Sequence, residues 1–336
     1  MEGDRPLIVC LTPVKDEAWI LPRFLRCAAS WADHVIVADQ GSIDGSRAIV
    51  QNCAKTKLIN NPGDRYDEGA RQRLLVDAAR SMPNAGKLTM IALDADEALS
   101  ANWRNSPEWD ELIGAAPGTV LAFRRLNLLA GCARGWFSDE PIPFGFVDDG
   151  TPHRPEIIHS RRIPTPEGAP WMVFEDIKVL HYQYIDWPRM KSKQRWYQCW
   201  ERINNPEKRA VTIFRQYNFM DAKAKAAAPV DPAWFEDTDA SIAAEEETGG
   251  GRWYRWDSEV LDLFARHGTG PFRRLAIWDT DWVALAKVEG RPDAEAFADP
   301  RTDLDKRIHR WLATTQPWSL YTGVRAAQQV IRMWGW

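Results

Sequence analysis

The chain is predicted to be α/β, with a doubly wound, mostly parallel sheet followed by a mainly helical C-terminal extension. Three observations predict it. Short apolar runs alternate with helical periodicity over the first hundred residues, a βαβ pattern that right-handed crossovers turn into a parallel sheet. The run Met90-Ile91-Ala92-Leu93 carries no charge, as a strand buried on both faces should not, and it ends abruptly in Asp94-Ala95-Asp96-Glu97. After Trp187 the apolar spacing turns helical, as in Leu304, Ile308, Trp311 and Leu312.

The elements follow in order. Leu7 to Leu11 is a strand stopped by Thr12-Pro13, and Leu21, Phe24, Leu25 and Ala28 then form one apolar helix face. His34 to Ala38 is the second strand, with Asp44 as N-cap of the next helix. Lys57 to Asn60 is a third strand, Tyr66 to Arg80 a third helix, and the strand ending at Asp94 is the fourth. Beyond residue 100 the alternation weakens. Val120–Phe123 and Val173–Tyr184 read as strands, whereas the Gly- and Pro-rich residues 131–170 read as loops around a site. Residues 222–232 and 247–251 read as mobile segments. The sheet domain is therefore expected to span 1–220 and the helical region 221–336.

Composition narrows the function. The chain has 336 residues, 45% hydrophobic and 27% charged, which is ordinary for a folded protein. A net charge of −4 without a long basic tract argues against a nucleic-acid partner. Five scattered cysteines without a CxxC pair read as reduced thiols, and no run approaches the ~18 apolar residues of a membrane span. With no leader-like N-terminus, the expected location is cytoplasmic. The 18 tryptophans fit a core, a sugar-binding cleft or a membrane interface, and the core is the commonest fate of any one of them.

The chemistry sits at strand ends. An Asp-x-Asp after a buried strand places carboxylates at the carboxyl edge of the sheet, where open α/β folds bind ligands. There they can share one hard divalent cation, which in turn bridges to phosphate oxygens. The first strand leads into Thr12-Pro13-Val14-Lys15-Asp16-Glu17 and the second into Asp39-Gln40-Gly41-Ser42-Ile43-Asp44. Taken singly, each motif is equally well a turn or a helix start.

In that order and on those strands, the motifs resemble family-2 glycosyltransferases of the GT-A fold. That family shows Pro-x-x-Asn-Glu, Asp-x-Gly-Ser-x-Asp and Asp-x-Asp after its first, second and fourth strands. Asp16-Glu17 stands here in place of Asn-Glu. The resemblance covers residues 6–100 well, 101–200 loosely, and nothing after about 220. It implies a nucleotide-diphosphate sugar donor, a UDP-sugar in the first instance, with Mg²⁺ or Mn²⁺ as cofactor and inversion at the anomeric carbon. Asp39 would accept from the base and Glu17 from the ribose, with Thr12, Pro13 and Val14 walling the base and Gly41 and Ser42 completing the loop. Arg71 would meet the diphosphate, in competition with Arg65 and Arg73. Asp96 would hold the metal, with Asp94 and its neighbour Ala95 near the ribose or a metal-bound water. His181 would complete the metal shell, or is a structural histidine. Lys193, with Lys191 and Arg195, would close over the phosphates, or marks a solvated face. For the general base two acidic pairs compete, Glu175-Asp176 and Asp148-Asp149, with the first preferred because it lies shortly before His181.

Two other classes stay open. A nucleotidylyltransferase would share the core and the carboxylates but usually has a Gly-rich loop after the first strand, absent here. A non-catalytic carbohydrate-binding protein would explain the tryptophans but not the ordered acidic motifs. The acceptor, whether glycan, lipid-linked or a small molecule, is not legible. Trp311, Trp318, Trp334 and Trp336 beside Arg310, Arg325 and Arg332 fit peripheral contact with the membrane inner face, or equally a packed helix or a dimer contact.

Overall fold

The computed structural model describes residues 5–61, 67–83, 86–156, 160–235 and 254–336. The chain divides into two compact units, residues 1–185 with 229–245, and residues 186–228 with 246–336. The expected boundary at 220 differs from this division, because the helices from Trp187 onward pack among themselves.

In the first unit, β1 (Leu7–Val14), β2 (His34–Asp39), β3 (Thr56–Asn60) and β4 (Leu88–Ala92) are parallel and lie in the order β3-β2-β1-β4. The helices between them are α1 (Leu21–Trp31), α2 (Ser46–Gln51) and α3 (Glu68–Arg80). The sheet is doubly wound, and strand alternation shows it. Ile8, Cys10, Val35, Val37 and Ile91 pack on the α1 side, while Val9, Leu11, Ile36, Ala38 and Met90 pack on the α3 side. Because the chain runs outward from β1 to β3 and returns to β4, the β1–β4 boundary is the switch point where such sheets bind ligands.

The sheet continues through β5 (Glu97–Leu99), α4 (Pro107–Gly114), β6 (Val120–Leu128), β7 (Arg134–Phe137), β8 (Ile142–Val147) and β9 (Trp171–His181). Here the sheet is mixed. β8 pairs antiparallel with β4 and β6, and β9 runs parallel to β6 and antiparallel to β5. Residues 131–170 are thus not all loop, since they contain β7 and β8. The glycine that suggested a loop is required by packing. A Cβ on Gly145 would lie 3.0 Å from Leu121 Cβ and 3.2 Å from the Met90 carbonyl oxygen, so a side chain here would crowd both neighbouring strands. Pro143 is accommodated where the β6–β8 register slips at Leu121/Ala122.

The second unit is helical: α5 (Trp187–Asn204), α6 (Ala210–Tyr217), α7 (Met220–Lys225), α8 (Arg255–His267), α9 (Trp282–Val288), α10 (Asp303–Thr314) and α11 (Thr322–Met333). The expected mobile stretch 222–232 falls partly on α7; residues 247–251 lie outside the described residues. Phe264 is the hub of one core, with Phe272, Trp278, Trp282 and Phe297 around it. Ala210, Val211, Phe214, Ile308, Leu312, Ile331 and Trp336 form another. Most of the buried tryptophans are therefore core fillers. Among the described residues, no helix is long and apolar enough to cross a membrane.

Candidate functional site at the carboxyl edge of the sheet

Two loops build one wall of the site. The β1 loop and the β2 loop are stitched by reciprocal bonds: Asp16 N–H donates to Ser42 Oγ, Ile43 N–H to Asp16 Oδ1, Glu17 N–H to Ser46 Oγ and Ala18 N–H to Asp44 Oδ2, all at 2.8–3.0 Å. Asp16 takes a left-handed φ of 53°, which an aspartate tolerates and a bulkier residue resists. Asp44 caps one residue short of the expected position, accepting from Ser46 N–H at 3.0 Å ahead of the Gly45 N-cap. Burial opposes its charge, but the bonds from Ser46 and Ala18 hold its carboxyl below the ordinary range.

Asp39 is buried at the end of β2 and is already well occupied. Its carboxylate accepts from the Gly41 and Ser42 N–H groups and from Arg47 Nη1 at 2.5 Å. Glu17 accepts from Trp19 Nε1 at 2.7 Å. Thr12 is fully buried at the end of β1, and its hydroxyl has no hydrogen-bond partner. Pro13 and Val14 follow it, Val14 buried. Arg71 lies in the first turn of α3, on the same edge of the sheet, and its Nε is likewise buried without a partner. Of its competitors, Arg73 is exposed and Arg65 lies outside the described residues.

After β4, Leu93 N–H bonds to the Leu11 carbonyl, and the chain turns through Asp94, the buried Ala95 and Asp96 into β5. The Asp-x-Asp carboxylates part company here. Asp94 faces Arg162, whose Nη2 lies 2.5 Å from its Oδ2, and the same guanidinium binds the fully buried Glu97. Burial pushes the Glu97 carboxyl up against the pull of Arg162. Burial also opposes the Arg162 charge, but Asp94 and Glu97 outweigh it and hold the guanidinium above its ordinary value.

Asp96 turns instead to His181. The antiparallel β5–β9 register sets Glu97 opposite His181, and Asp96 Oδ2 lies 3.9 Å from His181 Nε2. The opposite ring nitrogen, Nδ1, lies 2.8 Å from Asn127 Oδ1. Asn127 Nδ2 donates to the Trp136 carbonyl, which fixes the amide with its oxygen toward the ring. Nδ1 therefore donates to Asn127, and Nε2 is the ring nitrogen turned toward Asp96. A carboxylate oxygen and an imidazole nitrogen at this spacing fit two positions around one hard cation, and an amide behind the histidine is the usual outer support. Among the described residues no cluster of three His, Cys, Asp or Glu side chains could hold a metal, so water or substrate oxygens would have to fill the other positions.

The two base candidates are not at this edge. Asp149 follows β8, which is antiparallel to β4 with Val147 opposite Thr89, so it lies at the amino end of β4. There Asp149 binds the Thr151 N–H, which lowers its carboxyl, and Asp148 pairs with Arg80. Glu175 and Asp176 sit at the bulge of β9, five residues before His181 and so about 15 Å back along the strand. Their backbone N–H groups bind Glu108, Asp176 accepts from Asn102, and Glu175 pairs with Arg124 at the surface. Lys193 belongs to the second unit, where its ammonium lies 5.8 Å from the Trp256 ring centroid.

Two residues of this edge escaped the sequence reading. Asn127 had a signal, a lone amide inside the apolar run Leu126-Asn127-Leu128. Arg162 had none, since it comes from a Pro-rich stretch 65 residues beyond Glu97.

No family model matches the chain. Solved structures similar to it include HddC from Yersinia pseudotuberculosis, 9% identical over 52% of this chain and 92% of that one, with a TM-score of 0.31. Another is 4-diphosphocytidyl-2C-methyl-D-erythritol synthase, 11% identical over 71% of this chain and 96% of that one, with a TM-score of 0.26. Similarity at this level carries no argument about chemistry.

Proposed function

We propose that the chain transfers a sugar from a nucleotide-diphosphate sugar, a UDP-sugar in the first instance, to an acceptor hydroxyl. Asp96 and His181 would hold Mg²⁺ or Mn²⁺. The observation that carries this reading is the Asp96–His181 pair at the switch point, with Asn127 turning Nε2 of the imidazole toward the carboxylate. When bound, the cation supplies Lewis-acid neutralisation of the departing diphosphate.

The remaining roles fall to the chain's own side chains. Arg71 would donate its unpaired Nε–H to a phosphate oxygen. Thr12 would lie beneath the nucleotide, with Pro13 and Val14 as an apolar wall. Glu17 would accept from a ribose hydroxyl. Arg162 would hold the Asp94 carboxylate in place. Inversion rests on the resemblance alone, and neither acidic pair considered above is offered as the base.

One observation favours nucleotidyl transfer as a second reading. The glycosyltransferase role of Asp39 needs a carboxylate open to the base, yet here it is filled by two backbone N–H groups and Arg47. A ligand that binds only the native state raises its apparent stability, so thermal shift with a panel of nucleotide-sugars and nucleoside triphosphates, with and without Mn²⁺, separates the readings. Mn²⁺-dependent stabilisation by a nucleotide-sugar supports glycosyl transfer. Stabilisation by triphosphates alone supports the second reading, and stabilisation by free sugars alone a binding protein.

A further inference from the structure

The last two helices of the second unit present their uncharged surface the wrong way round for a water-facing helix. Gln328 and Ile331 are the residues of α11 buried against the unit. On another side of the same helix Gly323, Ala326, Ala327, Val330, Met333 and Trp334 recur at i, i+3, i+4, i+7, i+10 and i+11, forming a continuous stripe without a charge. That stripe faces out: Met333 is 71% exposed and Trp334 58%. Trp318, Leu320 and Tyr321, in the turn before α11, are exposed as well. Between α10 and α11 opens a groove of about 420 Å³, walled by Ile308, Trp311, Val330, Ile331 and Trp334, with Arg307 as its cation.

Charge says what this surface fits. Beyond the first turn of α10, which holds the exposed Asp303 and the buried Asp305, the chain from Lys306 to Trp336 has five lysines and arginines and no aspartate or glutamate, in a protein whose net charge is −4. Arg307, Arg310 and Arg325 are all exposed. Among the described residues, none of these three is ion-paired to a carboxylate. An exposed apolar stripe with tryptophans, an open apolar groove and unneutralised guanidinium groups together match one surface, a bilayer interface rich in anionic lipid.

We propose that α10, the 315–321 turn and α11 form a docking face for an anionic membrane surface. Val330, Met333, Trp334, Trp318 and Leu320 enter the acyl boundary, and Arg307 and Arg310 meet lipid phosphates. The orientation follows from the chemistry. Trp places its ring at the headgroup level, and a guanidinium binds phosphate through two N–H groups. The proposal does not depend on any catalytic reading.

The test is co-sedimentation of the full chain with vesicles of phosphatidylcholine alone and of phosphatidylcholine mixed with phosphatidylglycerol, at low and high salt. The proposal expects partition into the anionic vesicles, weakened by salt and nearly absent on the neutral ones. Arg307→Gln and Arg310→Gln should each lower the partition coefficient about fivefold, the effect of one basic group near an anionic surface. Met333→Ser with Trp334→Ser should abolish it, and since both side chains are exposed the thermal transition should stay in place. No sedimentation above a vesicle-free control would overturn the proposal. So would equal binding to both vesicle types, or a concentration-dependent dimer that the double serine variant dissolves, since the stripe would then be a contact between copies of the chain.

Discussion

Asn127 stands 2.8 Å from His181, and this contact decides which nitrogen of the ring faces Asp96. With Nδ1 donating to Asn127, Nε2 is placed to act as a ligand without the ring turning over. Two strands far apart in sequence cooperate here, since Asn127 on β6 and His181 on β9 are register partners in a parallel pair.

Replacing Asn127 with Leu should therefore weaken metal binding without displacing His181 from its strand. Loss of an outer-shell partner typically costs 10- to 100-fold in metal affinity. Mn²⁺ titration followed by electron paramagnetic resonance reads this directly. Unchanged Mn²⁺ affinity would show that the amide does not orient the ring.

Arg162 is expected to be a stability residue as well as a site residue. Arg162→Leu leaves the buried Glu97 next to Asp94 with the more distant Arg125, 3.8 Å away, as its cation, and loss of a buried pair of this kind costs up to about 3–5 kcal/mol. Denaturant unfolding should show that loss, and adding Glu97→Gln should recover a large part of it. A double variant no more stable than the single one would mean that Glu97 is not the group left unpaired.

The second unit carries its own pH dependence. His309 Nε2 meets the Arg274 carbonyl at 3.0 Å, and Nδ1 faces the Arg301 guanidinium at 3.4 Å, an arrangement suited to the neutral ring. Burial, with Arg301 adding to it against Asp305 and Asp299, pushes the His309 pKa down to about 4. The unfolded chain then binds the proton more readily than the folded one. Stability is fully present above the unfolded value near 6.5 and falls as pH drops from there toward 4, by on the order of 3 kcal/mol. Thermal unfolding between pH 7 and pH 4 should show the slope, and His309→Gln should flatten it. An equal slope in the variant would assign the loss to other groups.

Gly145→Ala should destabilise the sheet by about 1–3 kcal/mol, because the added methyl crowds Leu121 on one neighbouring strand and the Met90 carbonyl on the other. A variant as stable as wild type in denaturant would show that β4, β6 and β8 can part at this point.

The parallel half of the sheet was legible because its strands are buried on both faces and its helices carry one apolar stripe each. Leu21, Phe24, Leu25 and Ala28 are all buried as their spacing required. β7 and β8 were not legible, since the glycine and proline that a tight antiparallel insertion needs are the residues that otherwise mark loops. Asp96 and His181 were both legible as strand-end residues, and the β5–β9 register brings them together. The acidic pairs lie away from this edge for a reason the sequence does not carry. An acidic pair tells nothing about which edge of a sheet it occupies, and only the antiparallel direction of β8 puts Asp149 at the far one. Arg162 could not have been foreseen, because its partner is chosen by folding rather than by spacing. On α11 the tryptophans and arginines alone did not say which side packs; Gln328 and Ile331 mark the packed face and a separate stripe faces out.

The central claim is that Asp96 and His181 hold the cation that makes a nucleotide-sugar reactive at this edge. It is tested most directly by incubating the protein with the nucleotide-sugar that stabilises it, with Mn²⁺, and measuring nucleoside diphosphate release in wild type, Asp96→Ala and Asp149→Asn. The account predicts release by wild type and by Asp149→Asn, and none by folded Asp96→Ala or by wild type in excess chelator. Undiminished release by Asp96→Ala, or in chelator, would contradict it.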